Sequence, residues 1–278
     1  MSLSDTEKGV SMAKGLFGRV LPLLFLAAVL VATLAACGGG GGSGSGGGGE
    51  DITVASDIAY PPFEFEKNGE PTGFDIDLMD EIGKRAGFTP EYQNVVFDGI
   101  INGLRNNQYD AAISSMTITP ERQQRIDFSE PYFNADQSLL APGDAGIGSV
   151  DDLGDATVGV QLGTTGEITA REFKDEGTIQ GEIRTFDTIE DAFNALENGQ
   201  IDAIINDLAV SQYEAENSGG NAEIIEVIPT DEQYGIALPK DSDLRQDINK
   251  ALQEIKEDGT YEEIYKKWIG RAPEEIPE

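Results

Sequence analysis

Short apolar runs alternate with amphipathic segments along most of the chain. Compact apolar runs bounded by turn residues predict strands, and apolar residues that recur with a helical period predict helices buried on one face. The predicted strands are residues 52–56, 110–114, 156–161 and 202–206. The predicted helices are residues 74–87, 98–107, 189–199 and 243–259. This alternation predicts an α/β fold with a mostly parallel sheet.

Two segments of the chain repeat one pattern. Residues 104–115 (LRNNQYDAAISS) and 196–207 (LENGQIDAIIND) align without gaps, 92 positions apart, and six of the twelve positions are identical. Each segment has the pattern of a helix end, a turn and a buried strand, so we expect the same α/β unit in two similar lobes. The alternative is a chance likeness between short units of this kind.

Polar residues follow the predicted strand in both copies. Ser114 and Ser115 stand in one copy where Asn206 and Asp207 stand in the other. Because ligands of such sheets bind beyond the carboxyl ends of the strands, we expect these residues to face one another across a cleft.

The residues after Ser115 are suited to binding an anion. Arg122 has a permanently charged fork of donors that fits a carboxylate, and Thr117 offers a hydroxyl and a backbone N–H. Asp207 could bind an ammonium group from the other lobe. Together these residues suit a small zwitterion, although a lone arginine is more often in a structural ion pair and a lone aspartate more often a cap.

Three other stretches supply candidate contacts. The turn 161–167 (QLGTTGE) follows a strand and precedes a helix, so its backbone N–H groups and the hydroxyls of Thr164 and Thr165 could add to the carboxylate site. Asp57 and Tyr60 follow the first strand, and Phe97 precedes a helix. The rings could flank an aliphatic group and Asp57 could face a polar or cationic one, although isolated aromatic residues usually belong to the core.

Residues 1–37 have the pattern of a secretory signal. Basic residues precede an apolar run, which ends in small residues and in Cys37, the only cysteine. The ending LAAC resembles a lipobox, which implies that Cys37 becomes the lipid-modified first residue of the mature protein. A membrane-spanning helix is the alternative, and the run is barely long enough for it. Residues 38–50 are rich in glycine and serine and predict a flexible tether.

The composition excludes several chemistries. The chain has 51 acidic and 19 basic residues and a formal charge of −32, which argues against nucleic acid and anionic lipid as partners. The absence of histidine and of a second cysteine excludes Ser-His-Asp hydrolysis, Cys-His proteolysis, histidine zinc sites and disulfides. We expect no cofactor and no metal. The acidity fits a saline environment, where ions screen self-repulsion, or ordinary drift in an exported protein.

The order of the motifs adds a resemblance. The stretches ASDIAYPPFEF, GFDIDLMDEIGKRAG, ITPERQQRIDFSEPY, VGVQLGTTGE, DAIINDLAV and DGTYEEIYKKWIG occur in turn between about residues 50 and 270. This order resembles that of the polar amino acid-binding proteins of ABC importers, which form family 3 of the extracellular solute-binding proteins. The likeness covers essentially all of the expected folded chain.

The resemblance implies a two-lobed periplasmic-binding-protein-like fold with a ligand cleft between the lobes. Two crossing hinge strands are expected near residues 132–136 and 230–235. The first lobe would be discontinuous, formed by residues 51–133 and 235–278, and residues 134–234 would form the second lobe. Such lobes close on a ligand by hinge motion.

The resemblance also implies roles for individual residues. Arg122 and Thr117 would bind the ligand α-carboxylate with help from Thr165, and Ser115 and Asp207 would bind the α-ammonium. The pocket for the ligand side chain would be shaped by Asp57, Tyr60, Phe97, Ser114 and Gln161.

The residues of the side-chain pocket bear on the choice of ligand. Some glutamine-binding relatives have lysine and histidine where this chain has Gln161 and Asn206, so glutamine specificity is not expected. The ligand expected is a polar or basic L-amino acid.

The resulting prediction is a monomeric, lipid-anchored extracytoplasmic binding subunit. It would deliver a free L-amino acid to an ABC permease and its ATPase, and it would not be an enzyme. Two alternatives share the fold: a dehydratase-like enzyme acting on prephenate or arogenate, and the amino acid-sensing domain of a receptor.

Overall fold

The computed structural model describes residues 49–278. The predicted signal peptide with Cys37 lies outside the described residues, as does most of the predicted tether. Glu50, which the sequence analysis assigned to the tether, is the first residue of a strand. Among residues 49–278, none of the helices combines the length and apolar character that a membrane crossing requires.

Strands and helices alternate as the hydrophobic pattern predicts. The strands of the described part are β1 (Glu50–Ser56), β2 (Ala59–Tyr60), β3 (Glu64–Lys67), β4 (Glu70–Thr72), β5 (Phe88–Asn94), β6 (Ala111–Ala112), β7 (Asp127–Ala141), β8 (Val158–Gln161), β9 (Ile183–Phe186), β10 (Ala203–Asp207) and β11 (Glu223–Leu238). Its helices are α1 (Phe74–Ala86), α2 (Phe97–Arg105), α3 (Pro120–Gln123), α4 (Thr165–Asp175), α5 (Ile189–Glu197), α6 (Leu208–Asn217), α7 (Leu244–Glu257) and α8 (Thr260–Ile269), with a short 3-10 helix at Val150–Asp152.

The strands form a mixed eight-stranded sheet in the order β5-β1-β6-β11-β7-β10-β8-β9, and β2, β3 and β4 form a separate small sheet. At one end β1 pairs in parallel with β5 and β6, and at the other end β8 pairs in parallel with β9 and β10. The two long strands β7 and β11 lie between these parallel groups and pair with each other in antiparallel fashion. The α/β class is therefore confirmed.

The long strands connect the two parallel groups. Ala237 of β11 pairs with Ala112 of β6, whereas Gln137 of β7 pairs with Asp207 of β10. Both segments expected to contain the crossings lie within these strands. The exact boundaries of the lobes stay a prediction.

The crossing strands are irregular where they pass between the lobes. Ile228 pairs with Gln137 but Glu232 pairs with Ala135, so β11 has extra residues that its partner does not match. Thr230 in this bulge donates its backbone N–H to Asp136 Oδ1 (2.8 Å). A bulge of this kind bends the strand and increases its twist.

The internal repeat has the same local geometry in both copies. Asp110 Oδ2 accepts a hydrogen bond from the backbone N–H of Thr53 (2.8 Å), and Asp202 Oδ2 accepts one from Thr157 (2.7 Å). In each copy an aspartate thus ties the start of one strand to the neighbouring parallel strand. This correspondence supports the interpretation of residues 104–115 and 196–207 as equivalent units.

The first copy has a shorter strand than predicted. The sequence predicts a strand over residues 110–114, but β6 contains only Ala111–Ala112. Ser115 has a φ of 47°, in the left-handed region, so the chain turns away from the sheet directly after the apolar residues. This turn places Ser114 and Ser115 just beyond the carboxyl end of β6.

Candidate functional site

The ten residues predicted to bind the ligand line one cavity. They are Asp57, Tyr60, Phe97, Ser114, Ser115, Thr117, Arg122, Gln161, Thr165 and Asp207. Thr164, which the sequence analysis paired with Thr165, also lines the cavity, as does Glu64, which the sequence analysis did not assign. The structure therefore brings the whole predicted set together.

Arg122 is held by a very short helix. Thr119 caps α3 by accepting a hydrogen bond from the backbone N–H of Arg122 (3.2 Å), and Pro120 occupies the first turn, where its missing N–H has no cost. The sequence TPER thus explains why the chain turns here and directs Arg122 inward. The arginine is only 7% exposed.

The guanidinium of Arg122 lies between the two lobes. Nη1 donates to the Thr117 carbonyl (2.7 Å) and Nη2 to the Gly163 carbonyl (3.0 Å), and the group lies 5.3 Å from the Phe97 ring centre. Burial lowers the pKa of Arg122, and the nearby carboxylate of Asp207 opposes this shift. Since free arginine has a pKa above 12, the group stays charged.

Asp207 is the first candidate partner for an ammonium group. It is the last residue of β10 and is 6% exposed. Its carboxylate accepts hydrogen bonds from Tyr60 (2.8 Å) and Tyr234 (2.5 Å) and from the side-chain amide of Gln137. Burial raises the pKa of Asp207 to about 6, and the charge of Glu232 adds to the rise while these hydrogen bonds oppose it.

A buried acidic pair lies behind Ser114 and Ser115. The two serine hydroxyls donate to the two carboxylate oxygens of Glu64, at 3.0 and 3.4 Å. The backbone N–H of Ser115 donates to Asp75 Oδ2 (2.8 Å), as does the hydroxyl of Tyr132 (2.7 Å). Burial, and then the charge of Asp75, raise the pKa of Glu64 well above its usual range.

Asp57 and Gln161 contact each other across the cleft. Gln161 Nε2 donates to Asp57 Oδ2 (2.6 Å) and to the carbonyl of Asp187 (3.1 Å). Burial raises the pKa of Asp57 to about 6, and the carboxylates of Glu190 and Asp98 add to the rise. Several carboxyl groups are therefore gathered at this end of the cavity, which is called the acidic end below.

The turn before α4 is built by reciprocal capping. Thr164 accepts a hydrogen bond from the backbone N–H of Glu167 (3.2 Å), and the Glu167 carboxylate accepts one from the backbone N–H of Gly163 (2.7 Å). Gly163 has a φ of 81°, which favours glycine. The sequence GTTGE thus fixes the carbonyl of Gly163 beside Arg122 and places Thr165 at the cavity wall.

Two residues of the crossing strands contact the lining of the cavity and were not predicted from the sequence. Gln137 Nε2 hydrogen-bonds Asp207 and Glu232, and Glu232 Oε2 accepts hydrogen bonds from Thr117 (3.2 Å) and Thr165 (2.9 Å). The motif TDEQYG indicated a hinge, but only the folded structure shows that these side chains contact residues that line the cavity. Within residues 49–278, no group of three or more His, Cys, Asp or Glu residues could hold a metal ion.

Comparison with models of known protein families shows which family the chain belongs to. The model of the bacterial extracellular solute-binding proteins, family 3, matches residues 52–271. The chain belongs to this family. The resemblance recognised in the sequence is thereby confirmed.

Curated relatives of this solute-binding protein include amino acid-binding proteins. The chain is 35% identical over 249 residues to the arginine-binding extracellular protein ArtP of Bacillus subtilis (strain 168), covering 89% of this chain and 96% of the relative. It is 38% identical over 213 residues to the ABC transporter glutamine-binding protein GlnH of the same strain, covering 75% and 76% of the two chains.

Solved structures of the family share the fold. An ancestral arginine-binding protein bound to arginine is 40% identical, with a TM-score of 0.74, over 78% of this chain and 97% of that chain. The arginine-, lysine-, histidine-binding protein ArtJ of Geobacillus stearothermophilus is 37% identical, with a TM-score of 0.76, over 81% and 97%. The two-lobed fold is confirmed.

One structural relative bears on the enzyme alternative. The ancestral amino acid-binding protein AncCDT-1, a precursor of cyclohexadienyl dehydratase, is 38% identical, with a TM-score of 0.71, over 79% of this chain and 95% of that chain. The other relatives named above are binding proteins, so the expectation of a binding protein is supported at the level of the family.

Proposed function

We propose that the chain captures a basic L-amino acid, with L-arginine as the first candidate, for an ABC importer. The observation that supports this most directly is the acidic end of the cavity. Asp57 and Glu64 line it beyond Ser114, while Arg122 and Asp207 lie where the backbone groups of an amino acid would bind. A ligand with a cationic side chain would neutralise buried carboxylates that are otherwise costly to ionise.

The two ends of the ligand would bind to different lobes. Arg122 and Thr117 would hold the carboxylate, and Asp207 would accept hydrogen bonds from the ammonium with help from Ser115. Buried charges are tolerated only when each is paired and hydrogen-bonded, and these residues supply both pairings. Because the partners lie on opposite lobes, the amino acid would favour the closed conformation and shift the hinge equilibrium toward it.

A screen of the twenty standard amino acids by thermal shift tests the ligand class. A ligand that binds only the folded state raises the melting temperature, and the shift grows with ligand concentration. We expect the largest shift with L-arginine, a smaller one with L-lysine or L-histidine, and none with L-glutamate. A larger shift with L-glutamine than with L-arginine would contradict the proposed role of the acidic end.

Delivery to a permease and anchoring to the membrane are further parts of the proposal. They are supported by the family match and by the LAAC sequence that ends in Cys37. Replacing this cysteine, Cys37→Ser, should release the protein from the membrane fraction into the soluble fraction, because a lipid can no longer be attached. Continued retention of the variant in membranes would instead support an uncleaved spanning helix.

A further inference from the structure

One carboxylate of a crossing strand contacts two residues that line the cavity. Glu232 lies on β11 directly after the bulge and pairs with Ala135 of β7. Its Oε2 accepts hydrogen bonds from Thr165 Oγ1 (2.9 Å), Thr117 Oγ1 (3.2 Å) and Gln137 Nε2 (3.2 Å). Glu232 is partly exposed, and its carboxylate lies against these three side chains, two of which, Thr117 and Thr165, line the cavity.

Thr117 and Thr165 are the residues expected to bind the carboxylate of an amino acid. They belong to opposite lobes, and their hydroxyl oxygens lie 3.3 Å apart. Each hydroxyl has a single proton, so it can donate to only one acceptor at a time. A ligand carboxylate and the Glu232 carboxylate therefore cannot both receive these two hydrogen bonds.

The charge of Glu232 is not neutralised by an ion pair. None of the salt bridges found among residues 49–278 includes Glu232. Arg122 directs its guanidinium to the carbonyls of Thr117 and Gly163. The two threonine hydroxyls thus donate to Glu232, a carboxylate of the chain itself. Arg122 lies beside them and could pair with the carboxylate of a ligand.

We propose that Glu232 is an internal competitor for the ligand carboxylate and thereby sets the affinity of the site. This inference rests on the proposed amino acid ligand. In the conformation observed, one oxygen of Glu232 accepts hydrogen bonds from both lobes, so it stabilises closure. An amino acid must replace these hydrogen bonds, and the free energy of that exchange is subtracted from its binding.

The test replaces the carboxylate with an amide of the same shape. Glu232→Gln should bind L-arginine about tenfold more tightly than the unaltered protein in calorimetry, because hydrogen bonds to a charged acceptor are roughly twice as strong as those to a neutral one. Glu232→Ala, which removes the acceptor, should also bind more tightly and serves if the glutamine variant does not fold. Circular dichroism and a melting curve establish folding.

Two controls separate competition from a general change in charge. Asp231→Asn removes the same charge from the neighbouring residue, which is exposed, and should leave the affinity unchanged. L-argininamide has an uncharged amide in place of the carboxylate and competes weakly for the hydroxyls. Its binding should therefore gain much less from Glu232→Gln than that of L-arginine.

Several outcomes would overturn the inference. Equal or weaker binding of L-arginine by Glu232→Gln would mean that Glu232 assists the ligand. An equal gain for L-argininamide, or the same gain in Asp231→Asn, would show a nonspecific effect of charge. Failure of the unaltered protein to bind any of the twenty amino acids is a different result, which would reject the proposed function and the inference with it.

Discussion

At the scale of single residues, the site is defined by two opposite charges buried in one cavity. Arg122 and Asp207 are 7% and 6% exposed, so each has lost most of its contact with water. Neighbouring polar groups stabilise each charge by hydrogen bonds: carbonyls accept from the arginine, and tyrosine hydroxyls donate to the aspartate. A ligand with a carboxylate and an ammonium group would form an ion pair with each of these two side chains. Since both are already buried in the free protein, most of their desolvation cost has been met before the ligand binds.

Removing either charge should abolish amino acid binding. In Arg122→Ala or Asp207→Asn the ligand would lose its partner and one of its charges would be buried unpaired, at a cost of about 3–5 kcal/mol. Calorimetry with L-arginine measures the loss. Arg125→Ala is the matched control, because Arg125 bonds Asn102 outside the cavity, and it should bind as the unaltered protein does. Unchanged affinity in both site variants would reject the proposed site.

Acid should weaken ligand binding. The pKa of Asp207 is raised to about 6, so the free protein takes up a proton there as the pH falls through 6. A cationic ligand binds the ionised form, so affinity is greatest above this pH and decreases below it. We expect about a tenfold loss for each unit of pH below 6 for one such group.

The same raised pKa has the opposite consequence for folding. The folded protein holds the proton more tightly than the unfolded chain does, so stability falls as the pH rises from the ordinary aspartate pKa of about 4 to about 6, and the loss is complete above that pH. The melting temperature of the unaltered protein, measured relative to that of Asp207→Asn, should therefore rise as the pH falls from 7.5 to 5. An affinity for L-arginine that is constant from pH 5 to 7.5 would contradict the assignment of Asp207 as the ammonium partner.

The sequence indicates residues of the cavity where they follow regular elements. Ser114, Ser115 and Asp207 were found from the repeated strand ends, and Arg122 from its chemistry. Glu64 was overlooked because, among the polar residues near the first strand, nothing local distinguishes a buried carboxylate from a solvated one. Its burial depends on the packing of the small sheet of β2, β3 and β4 against α1, which is a tertiary property.

At the scale of elements, the helices were the easiest to predict. The predicted helix at residues 74–87 is α1 (Phe74–Ala86), and the one at 189–199 is α5 (Ile189–Glu197). Each has an apolar face several turns long, which gives a clear periodic signal. The strands β2, β3 and β4 were not predicted because two to four residues are too few to show a period.

The small sheet makes a second contact between the lobes. Phe65 on β3 lies between Trp268 of α8 (ring centres 5.8 Å apart) and Tyr213 of α6 (6.3 Å). By the predicted boundaries, Phe65 and Trp268 belong to the first lobe and Tyr213 to the second. Closing and opening of the cleft should therefore change the surroundings of this aromatic cluster.

Tryptophan fluorescence should report closure. Trp268 is the only tryptophan of the chain, so a change in emission on adding L-arginine has one source. Tyr213→Ala removes the contribution of the second lobe and should reduce the amplitude of the change, while calorimetry still detects binding. Trp268→Phe is the control and should give no signal. A full amplitude in Tyr213→Ala would show that this cluster does not respond to closure.

At the scale of the whole molecule, the fold consists of two parallel α/β groups joined by two long strands. The repeat predicts the duplication, but it gives no information on how the copies are oriented. That arrangement depends on the antiparallel pairing of β7 and β11, which lie far apart in sequence. The composition adds a property that the fold does not determine, a formal charge of −32.

Salt should stabilise the folded protein. Many like charges on one compact body repel each other, and unfolding relieves the repulsion by moving them apart. Because the screening length falls from about 10 Å at 0.1 M to about 3 Å at 1 M salt, most of the gain from screening should appear within this range. The melting temperature should therefore increase steeply with sodium chloride concentration up to about 1 M and change little beyond it. Potassium chloride should act alike, because screening depends on ionic strength.

The shape of this salt dependence separates screening from other effects. Exclusion of a solute from the protein surface also stabilises folded proteins, but that effect keeps growing with concentration. Salt should at the same time slow the association of cationic L-arginine, because the attraction that steers it toward an acidic protein is screened. A melting temperature that stays constant or falls between 0.1 and 1 M would mean that the surface charges are too far apart to destabilise the fold. In that case the acidity would have no role in stability, and ordinary drift in an exported protein would be the better explanation.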